Sequence, residues 1–255
     1  VVPVEASRGG GAVLVLHDVT ELRQADQVRR DFVANVSHEL RTPLTAIRGY
    51  VEALLDGPTT PDQSDKFLKV IARHAGRMER LVSDLLRLAR LDAKQELLQR
   101  AHCQIPSLLT AVVSEMEPAI DARGVTVRTQ IDLDAEVTYG DPLKLHDVFR
   151  NLLENAINYS PEGGDIEMTS RRAGYVLELS VSDHGPGIPD ADIGRIFERF
   201  YRVDRSRTRD AGGTGLGLSI VRHLVQLHGG SVSARNRDGG GTCVSVLLPD
   251  PPAGT

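Results

Sequence analysis

The sequence predicts an α+β protein of two modules, a hairpin of two long helices followed by a sandwich in which helices cover one face of a sheet. Apolar residues recur at steps of three and four between residues 20 and 92, as on one side of an amphipathic helix. From residue 97 to 250, segments with that period alternate with segments of period two. Such alternation with short turns is typical of a mostly antiparallel sheet packed against helices.

The composition excludes several classes of protein. Of the 255 residues, 40% are hydrophobic and 25% are charged, and the net charge of −5 gives no electrostatic reason to expect nucleic-acid binding. Cys103 and Cys243 lie far apart without a CxxC pair, so we expect reduced structural thiols rather than a zinc site or a disulfide. No apolar run approaches the roughly 20 residues of a membrane span. Because the chain begins without methionine, we expect a fragment of a longer protein.

Residues 1–20 are expected to end a preceding domain. The segments 1–5 and 12–17 flank a glycine-rich turn and predict a β-hairpin. Two strands cannot bury a core by themselves, so this hairpin would complete a larger sheet. An unrelated hairpin or a disordered tail is the alternative.

The helical hairpin follows. Its first helix is predicted over residues 20–56, where a Gly-Pro pair ends it. The second begins at Thr60, which opens a Thr-Pro-Asp-Gln capping box. Its stripe has the 3.5-residue period of a helix–helix seam and comprises Phe67, Ile71, His74, Met78, Leu81, Leu85 and Leu88. The histidine in that stripe is expected to pack rather than react. One hairpin cannot enclose two such stripes, so we predict a homodimer whose hairpins form a four-helix bundle.

His38 differs from its neighbours on the first helix. The apolar stripe there is formed by Phe32, Val36, Leu40, Leu44, Ile47, Val51 and Leu54. At about 100° per residue, His38 is turned roughly 200° from Val36 and Leu40, so its imidazole should face water. Glu39 is adjacent, Thr42 lies one turn on, and Pro43 lacks the N–H that would bond the Glu39 carbonyl. The imidazole is thus expected to be exposed, next to a carboxylate and on a locally flexible stretch of helix. This combination predicts a nucleophile that reacts with more than one partner.

The segment Ser37-His38-Glu39-Leu40-Arg41-Thr42-Pro43-Leu44 resembles the H box of bacterial sensor histidine kinases. This resemblance implies that His38 is phosphorylated on a ring nitrogen and that Glu39 is the general base. It also implies that Thr42 orients water for phosphatase action on the phosphorylated partner. Upstream, residues 18–22 resemble the exit motif of PAS sensor domains, and the order of helix, H box and second module resembles kinases of the PhoR type.

The second module is predicted as alternating helices and strands. The helices are predicted at 105–123, 142–159 and 216–228, and the strands at 125–131, 166–171, 176–182, 231–236 and 242–248. Ala173-Gly174 and the run 238–241 predict the turns of two β-hairpins.

Asn151, Asn155 and Asn158 stack at helical spacing on the helix predicted over 142–159. Amide oxygens suit a hard cation such as Mg²⁺, although a solvated face is an equally good interpretation. The segment resembles the N box of the ATPase group that contains histidine kinases and Hsp90. That resemblance implies that Asn155 ligates Mg²⁺, with Asn151 supporting it and Tyr159 beside the nucleotide. Many family members carry a basic residue where this chain has Asn158.

Asp183 follows the strand predicted over 176–182 and shares a face with its leucines. A buried carboxylate needs a hydrogen-bond donor, which an adenine amine would supply; a turn-capping aspartate is the alternative. Gly185 and Gly187 would let a flat base approach the backbone. The segment 183–189 resembles the G1 box, which implies that Asp183 reads adenine beside Gly185, Gly187 and Ile188.

Two further motifs follow in order. Residues 196–202 resemble the F box, in which Arg199 is a candidate to touch terminal phosphates. The polar stretch 203–214 is expected to close over ATP as a lid. A glycine-rich run then enters a helix, where free N–H groups at the positive helix end favour phosphate. It resembles the G2 box, so we expect nucleotide contacts from Gly213, Thr214, Gly215, Leu216, Gly217 and Leu218.

Together the motifs predict a kinase with a dimerisation and phosphotransfer hairpin over 21–95 and an ATP-binding α/β sandwich of the Bergerat type over 96–250. Residues 1–20 would end a PAS-like domain, and 251–255 would be a tail. The resemblance implies ATP and Mg²⁺ as cofactors, transfer from His38 to a response-regulator receiver domain, and the cytoplasmic portion of a bacterial inner-membrane protein. An Hsp90- or MutL-like ATPase and a non-catalytic dimeric scaffold are the alternatives.

Overall fold

The computed structural model describes residues 2–4, 11–13, 20–57, 60–93, 96–203 and 213–249. Two short strands come first, β1 (Val2–Val4) and β2 (Gly11–Val13), and they pair antiparallel as predicted. The rest of that hairpin, the inter-helix turn at 58–59, most of the predicted lid and the tail at 251–255 lie outside the described residues.

The helical hairpin has the predicted bounds. Helix α1 spans Thr20–Asp56 and continues through Pro43, and α2 spans Pro61–Asp92. The capping box forms at the start of α2, where the Gln63 N–H donates to Thr60 Oγ1 at 3.3 Å and Gln63 Oε1 accepts from the Thr60 N–H at 3.2 Å. The rings of Tyr50 and Phe67 pack across the two helices with centroids 5.2 Å apart.

Part of the apolar surface of this hairpin is not covered by its own chain. Leu44 and Val51 belong to the predicted buried stripe of α1, yet they are 57% and 38% exposed. Further exposed apolar side chains on the two helices are Val33, Leu55, Leu68, Val82 and Leu86. A second hairpin would cover such a surface, as the prediction of a four-helix bundle requires.

The second module contains a five-stranded sheet and three helices. The strands are β4 (Thr126–Ile131), β6 (Asp165–Ala173), β7 (Val176–Ser182), β8 (Ser231–Asn236) and β9 (Thr242–Pro249), in the spatial order β4-β6-β7-β9-β8. All neighbours are antiparallel except β4 and β6. Helices α3 (Ile105–Arg123), α4 (Pro142–Tyr159) and α5 (Gly217–Leu227) cover one face. The core between the layers includes Phe149, Leu153, Ile166, Leu177 and Leu179.

Two strands of the second module were not predicted from the sequence. β3 (Ala101–Gln104) and β5 (Val137–Gly140) form a separate antiparallel sheet, and a 3₁₀ turn at Leu133–Ala135 precedes β5. Both strands have four residues, too few for a period-two pattern to be recognised. β5 leads directly to Asp141, whose Oδ1 accepts from the N–H groups of Leu143 and Lys144 and caps α4. The small sheet therefore fixes the start of the helix that carries the asparagines.

His228 joins the end of α5 to the start of α4. Its Nε2 accepts a hydrogen bond from the Asp141 N–H at 3.0 Å, and its Nδ1 lies 2.8 Å from the Leu224 carbonyl oxygen. These two contacts require the neutral ring with the proton on Nδ1. Burial lowers the pKa of His228, because the charged ring would lose its hydration.

We therefore expect the free energy of unfolding to decrease as the pH falls below about 6.5, the ordinary pKa of histidine. Below this pH His228 is protonated in the unfolded chain but stays neutral in the native protein. The free energy of unfolding therefore falls by up to about 1.4 kcal/mol per pH unit. Urea unfolding at pH 7.5, 6.5 and 5.5 measures this. His228→Gln keeps an acceptor for Asp141 but does not titrate, so its stability should depend less on pH. Equal slopes for the two proteins would contradict the assignment.

Candidate functional site

His38 is exposed on α1, as its position opposite the apolar stripe predicted. The Thr42 hydroxyl donates to the His38 carbonyl oxygen at 3.3 Å, so this side chain stays on the same helical face. Glu39 is half-buried, and its Oε2 accepts from Arg77 Nη2 at 2.9 Å. Arg77 lies on α2 and was not foreseen, although it falls beside the seam stripe in the sequence. The Arg77–Glu39 ion pair places the two helices in register at the level of His38.

Asp183 lies at the end of β7 and is 8% exposed. Its Oδ1 accepts from the N–H groups of Gly185 at 2.8 Å and Thr242 at 3.2 Å. Burial raises the pKa of the Asp183 carboxyl, and the two N–H donors oppose that rise. Among the described residues, every hydrogen bond to this carboxylate ends on Oδ1. Oδ2 is therefore the oxygen that can accept from the amine of a base.

The loop after Asp183 packs tightly against its surroundings. A Cβ at Gly185 would lie 2.6 Å from the Tyr159 carbonyl oxygen, so only glycine fits there. The Asn236 side chain holds the loop, because its Oδ1 accepts from the Ile188 N–H at 2.8 Å and its Nδ2 donates to the Ile188 carbonyl at 2.7 Å. Sequence reasoning missed Asn236 and the Thr242 N–H; the glycine run before Thr242 had been interpreted only as a hairpin turn.

The asparagines of α4 meet the G2 box. Asn151 is buried and donates from Nδ2 to the Asp147 carbonyl at 2.7 Å, while Asn155 and Asn158 are half-buried. A Cβ at Gly217 would lie 2.9 Å from Asn151 Oδ1, so the first turn of α5 lies directly against α4. Asn155 is not fully buried, and its amide oxygen is of a kind that suits a hard cation.

The F box and the G2 box are joined to each other. The Phe200 N–H donates to the Gly215 carbonyl oxygen at 2.8 Å, and a Cβ at Gly215 would lie 3.0 Å from the Phe200 Cα. Phe200 adopts a left-handed backbone conformation with φ of 61°, which is strained for a large side chain. Arg202 Nη1 donates to the Gly213 carbonyl oxygen at 2.7 Å. The two ends of the predicted lid are thus held together.

Two of the residues predicted to bind nucleotide contact the helical hairpin. Arg199 donates from Nη1 and Nη2 to the two oxygens of Asp92, at 2.9 and 2.6 Å. Thr214 Oγ1 donates to Asp84 Oδ2 at 2.9 Å. Carboxylates accept hydrogen bonds from the same donors as phosphates, which explains why these side chains find partners on α2.

Two other features of the sequence have plain structural positions. Cys103 and Cys243 are both free and buried. Within the described ranges, no helix combines the length and apolar character needed to cross a bilayer.

The chain matches two protein families over most of its length. Residues 28–94 match the family described as "His Kinase A (phospho-acceptor) domain". Residues 140–252 match "Histidine kinase-, DNA gyrase B-, and HSP90-like ATPase". The first contains His38, and the second contains the asparagines, Asp183 and the G2 box.

Individual relatives agree with both matches. The sensor histidine kinase WalK of Bacillus subtilis is 42% identical over 252 residues, which are 98% of this chain and 41% of that protein. The solved structure of histidine kinase ThkA in complex with response regulator protein TrrA superposes with a TM-score of 0.73 at 26% identity, covering 94% of this chain and 70% of that one. The structure of full-length ShkA in complex with AMPPNP superposes with a TM-score of 0.64 at 29% identity. The match covers 86% of this chain and 45% of that one.

The chain spans about two fifths of the length of the Bacillus relative. The phospho-acceptor match precedes the ATPase match, and the Bacillus relative aligns across both. The chain therefore belongs to the bacterial sensor histidine kinases.

Proposed function

We propose that this chain transfers the γ-phosphoryl group of ATP to His38 and then to an aspartate of a response-regulator receiver domain. The observation that carries the proposal is the pairing, on one chain, of an exposed histidine next to a carboxylate with a buried aspartate that receives its hydrogen bonds from the described residues on Oδ1 alone. A non-catalytic scaffold would need neither feature.

The phosphotransfer step uses side chains of α1. An imidazole nitrogen of His38 attacks the γ-phosphorus of ATP, the bond to the bridging oxygen breaks, and ADP leaves. The ring becomes cationic and loses the proton on its other nitrogen to the Glu39 carboxylate. Arg77 binds Glu39 Oε2, so Oε1 is the oxygen that we assign to proton transfer.

The nucleotide would be held by the motifs gathered around α4 and α5. Asp183 Oδ2 accepts from the adenine amine, and the glycines of the G2 box present N–H groups to the phosphates. We assign the metal to Asn155, where Mg²⁺ would offset phosphate charge. Support for a nucleotide at this fold comes from ShkA, whose solved structure contains AMPPNP.

Two partners follow from the same proposal. A response regulator is supported by ThkA, which was solved in complex with TrrA. A second copy of this chain is supported by the exposed apolar residues of the hairpin, Leu44 and Val51 among them. Membrane anchorage of the full-length protein stays a prediction, to be tested by fractionating cells that express it.

Incubation with γ-labelled ATP and Mg²⁺ tests the proposed kinase activity. We expect protein-bound label that is lost in acid and retained in alkali, as phosphohistidine requires. ATP binding without such label would refute the kinase. Steady release of phosphate would then favour an ATPase, and its absence would favour a scaffold.

Thr42 is expected to serve the phosphatase reaction. We expect Thr42→Ala to slow dephosphorylation of the regulator by about 10-fold or more, the usual scale for losing a group that positions a reactant. His38 labelling should persist, because the Thr42 hydroxyl donates its hydrogen bond to the His38 backbone and not to the imidazole. The measurement is loss of phosphate from the phosphorylated regulator, with Thr42→Ser as the variant that keeps the hydroxyl. If the Thr42→Ala variant dephosphorylates the regulator as fast as the wild type does, Thr42 has no role in the phosphatase reaction.

A further inference from the structure

The ATP-binding module is docked on α2 through residues that we assign to the nucleotide. Arg199 makes both of its terminal hydrogen bonds to Asp92, and its guanidinium lies 5.7 Å from the centre of the Phe32 ring. Thr214 donates to Asp84 from the other end of the predicted lid. Arg199 of the F box and Thr214 of the G2 box therefore both donate hydrogen bonds to carboxylates of α2.

Further contacts between the helical hairpin and the second module fix the docked arrangement. Arg87 of α2 forms an ion pair with Asp147 of α4, and Arg80 pairs with Glu154 at 3.5 Å. The Phe200 ring packs on Phe32 of α1 with centroids 5.7 Å apart, while its backbone holds the strained left-handed conformation. Strain of this kind persists only where surrounding contacts enforce it.

The docked contacts and bound phosphate exclude each other at Arg199. A guanidinium binds carboxylate and phosphate with the same fork of N–H groups, and both terminal nitrogens are directed at Asp92. Thr214 Oγ1 also accepts from the Leu216 N–H at 3.3 Å, which occupies a donor that the G2 box would offer to phosphate. Two carboxylates beside the phosphate site would in addition repel a triphosphate.

The docked position also lies far from His38. Arg77 marks the level of Glu39 on α2, and at 1.5 Å per residue Asp84 and Asp92 lie about 10 and 22 Å further along the helix axis. Phosphoryl transfer requires the reacting atoms about 3–3.5 Å apart. With Arg199 held at Asp92, the terminal phosphate that Arg199 would bind cannot reach the imidazole.

We infer that Asp84 and Asp92 form a carboxylate latch that holds Thr214 and Arg199 in place of phosphate and keeps the ATP-binding module docked away from His38. Phosphate and the latch compete for the same donors, so ATP binding releases the module and frees it to approach His38. The inference rests on the proposed function, because it concerns regulation of that same site.

Variants of the latch in the full chain test the inference. Asp92→Ala and Asp84→Ala should each tighten binding of a fluorescent ATP analogue with Mg²⁺ by about three- to fivefold, the range for losing a partly exposed ion pair or its hydrogen bond. The initial rate of His38 phosphorylation at subsaturating ATP should rise at least as much, and the double variant should exceed either single one. Asp65→Ala is the matched control, since its carboxylate pairs with Lys69 within α2.

A second measurement follows the docking directly. Labels on Asp65→Cys and Tyr175→Cys, both exposed positions on different modules, report the distance between them. Adding AMPPNP with Mg²⁺ should change that distance in the wild-type background, and the latch variants should show the changed distance before AMPPNP is added. Asp92→Asn, which is nearly isosteric, replaces Asp92→Ala if thermal unfolding shows that the alanine variant is destabilised.

The outcomes separate the two proposals. Label on His38 together with unchanged or weakened ATP affinity in the double variant would overturn the latch and leave the kinase standing. An unchanged distance on adding AMPPNP would overturn the latch as well. If neither the wild type nor any variant binds ATP, both the proposed function and the latch are refuted.

Discussion

Glutamine in place of His38 is expected to abolish transfer of label from γ-labelled ATP to the protein. The amide nitrogen of glutamine has no lone pair available for attack on phosphorus, so no covalent bond can form. Affinity for ATP should stay within about twofold, because His38 lies on α1 and the nucleotide motifs lie on the second module. Labelling and equilibrium binding of ATP, measured on the same preparation, check both expectations.

The matched control is His102→Gln. This histidine is exposed on β3, where its ring lies 5.5 Å from that of Tyr139, and it belongs to neither the hairpin helices nor the glycine motifs. Label should persist in this variant. Acid-labile label that survived in His38→Gln would assign the phosphorylated residue elsewhere, and the proposed mechanism would fail.

Asn in place of Asp183 is expected to weaken ATP binding by about 100-fold, or ~2.7 kcal/mol. The carboxylate would lose a charge-assisted hydrogen bond, and the new amide N–H groups would face the donor amine of adenine. The fold should not suffer, because the asparagine oxygen can still accept from the Gly185 and Thr242 N–H groups. Since burial raises the pKa of Asp183, removing its charge also removes a desolvation cost.

Calorimetric titration with ATP and thermal unfolding of the same samples test this second prediction. We expect the midpoint of unfolding to remain equal or to rise. Glu178→Gln is the control, since Glu178 lies on the same strand and is half-buried but lies outside the G1 box. Equal ATP affinity in Asp183→Asn and wild type would show that Asp183 caps a turn only, the alternative that its position also allows.

Features that depend on residues close along the chain were predictable. The exposure of His38 follows from the 3.6-residue period of the helix, and the bounds of α1 and α2 follow from that period together with local start and stop signals such as the capping box at Thr60. The place of Asp183 follows in the same way from the period of a strand. The four-residue strands β3 and β5 were missed, because their pairing and not their own pattern makes them strands.

The residues that we propose to bind a nucleotide or a phosphoryl group were thus named from the motifs, but their partners in the structure could not be named in that way. Arg199, which is predicted to contact phosphate, lies in the structure against Asp92, 107 positions away in the sequence, while Thr214 contacts Asp84 across 130 positions. The same holds for Arg77 with Glu39 and for Thr242 with Asp183. A hydrogen bond between distant residues depends on how helices and strands dock, and no local period encodes that docking. The sequence by itself therefore determined the helices, most of the strands and the motifs, and only the tertiary structure decided which residues of those motifs face each other.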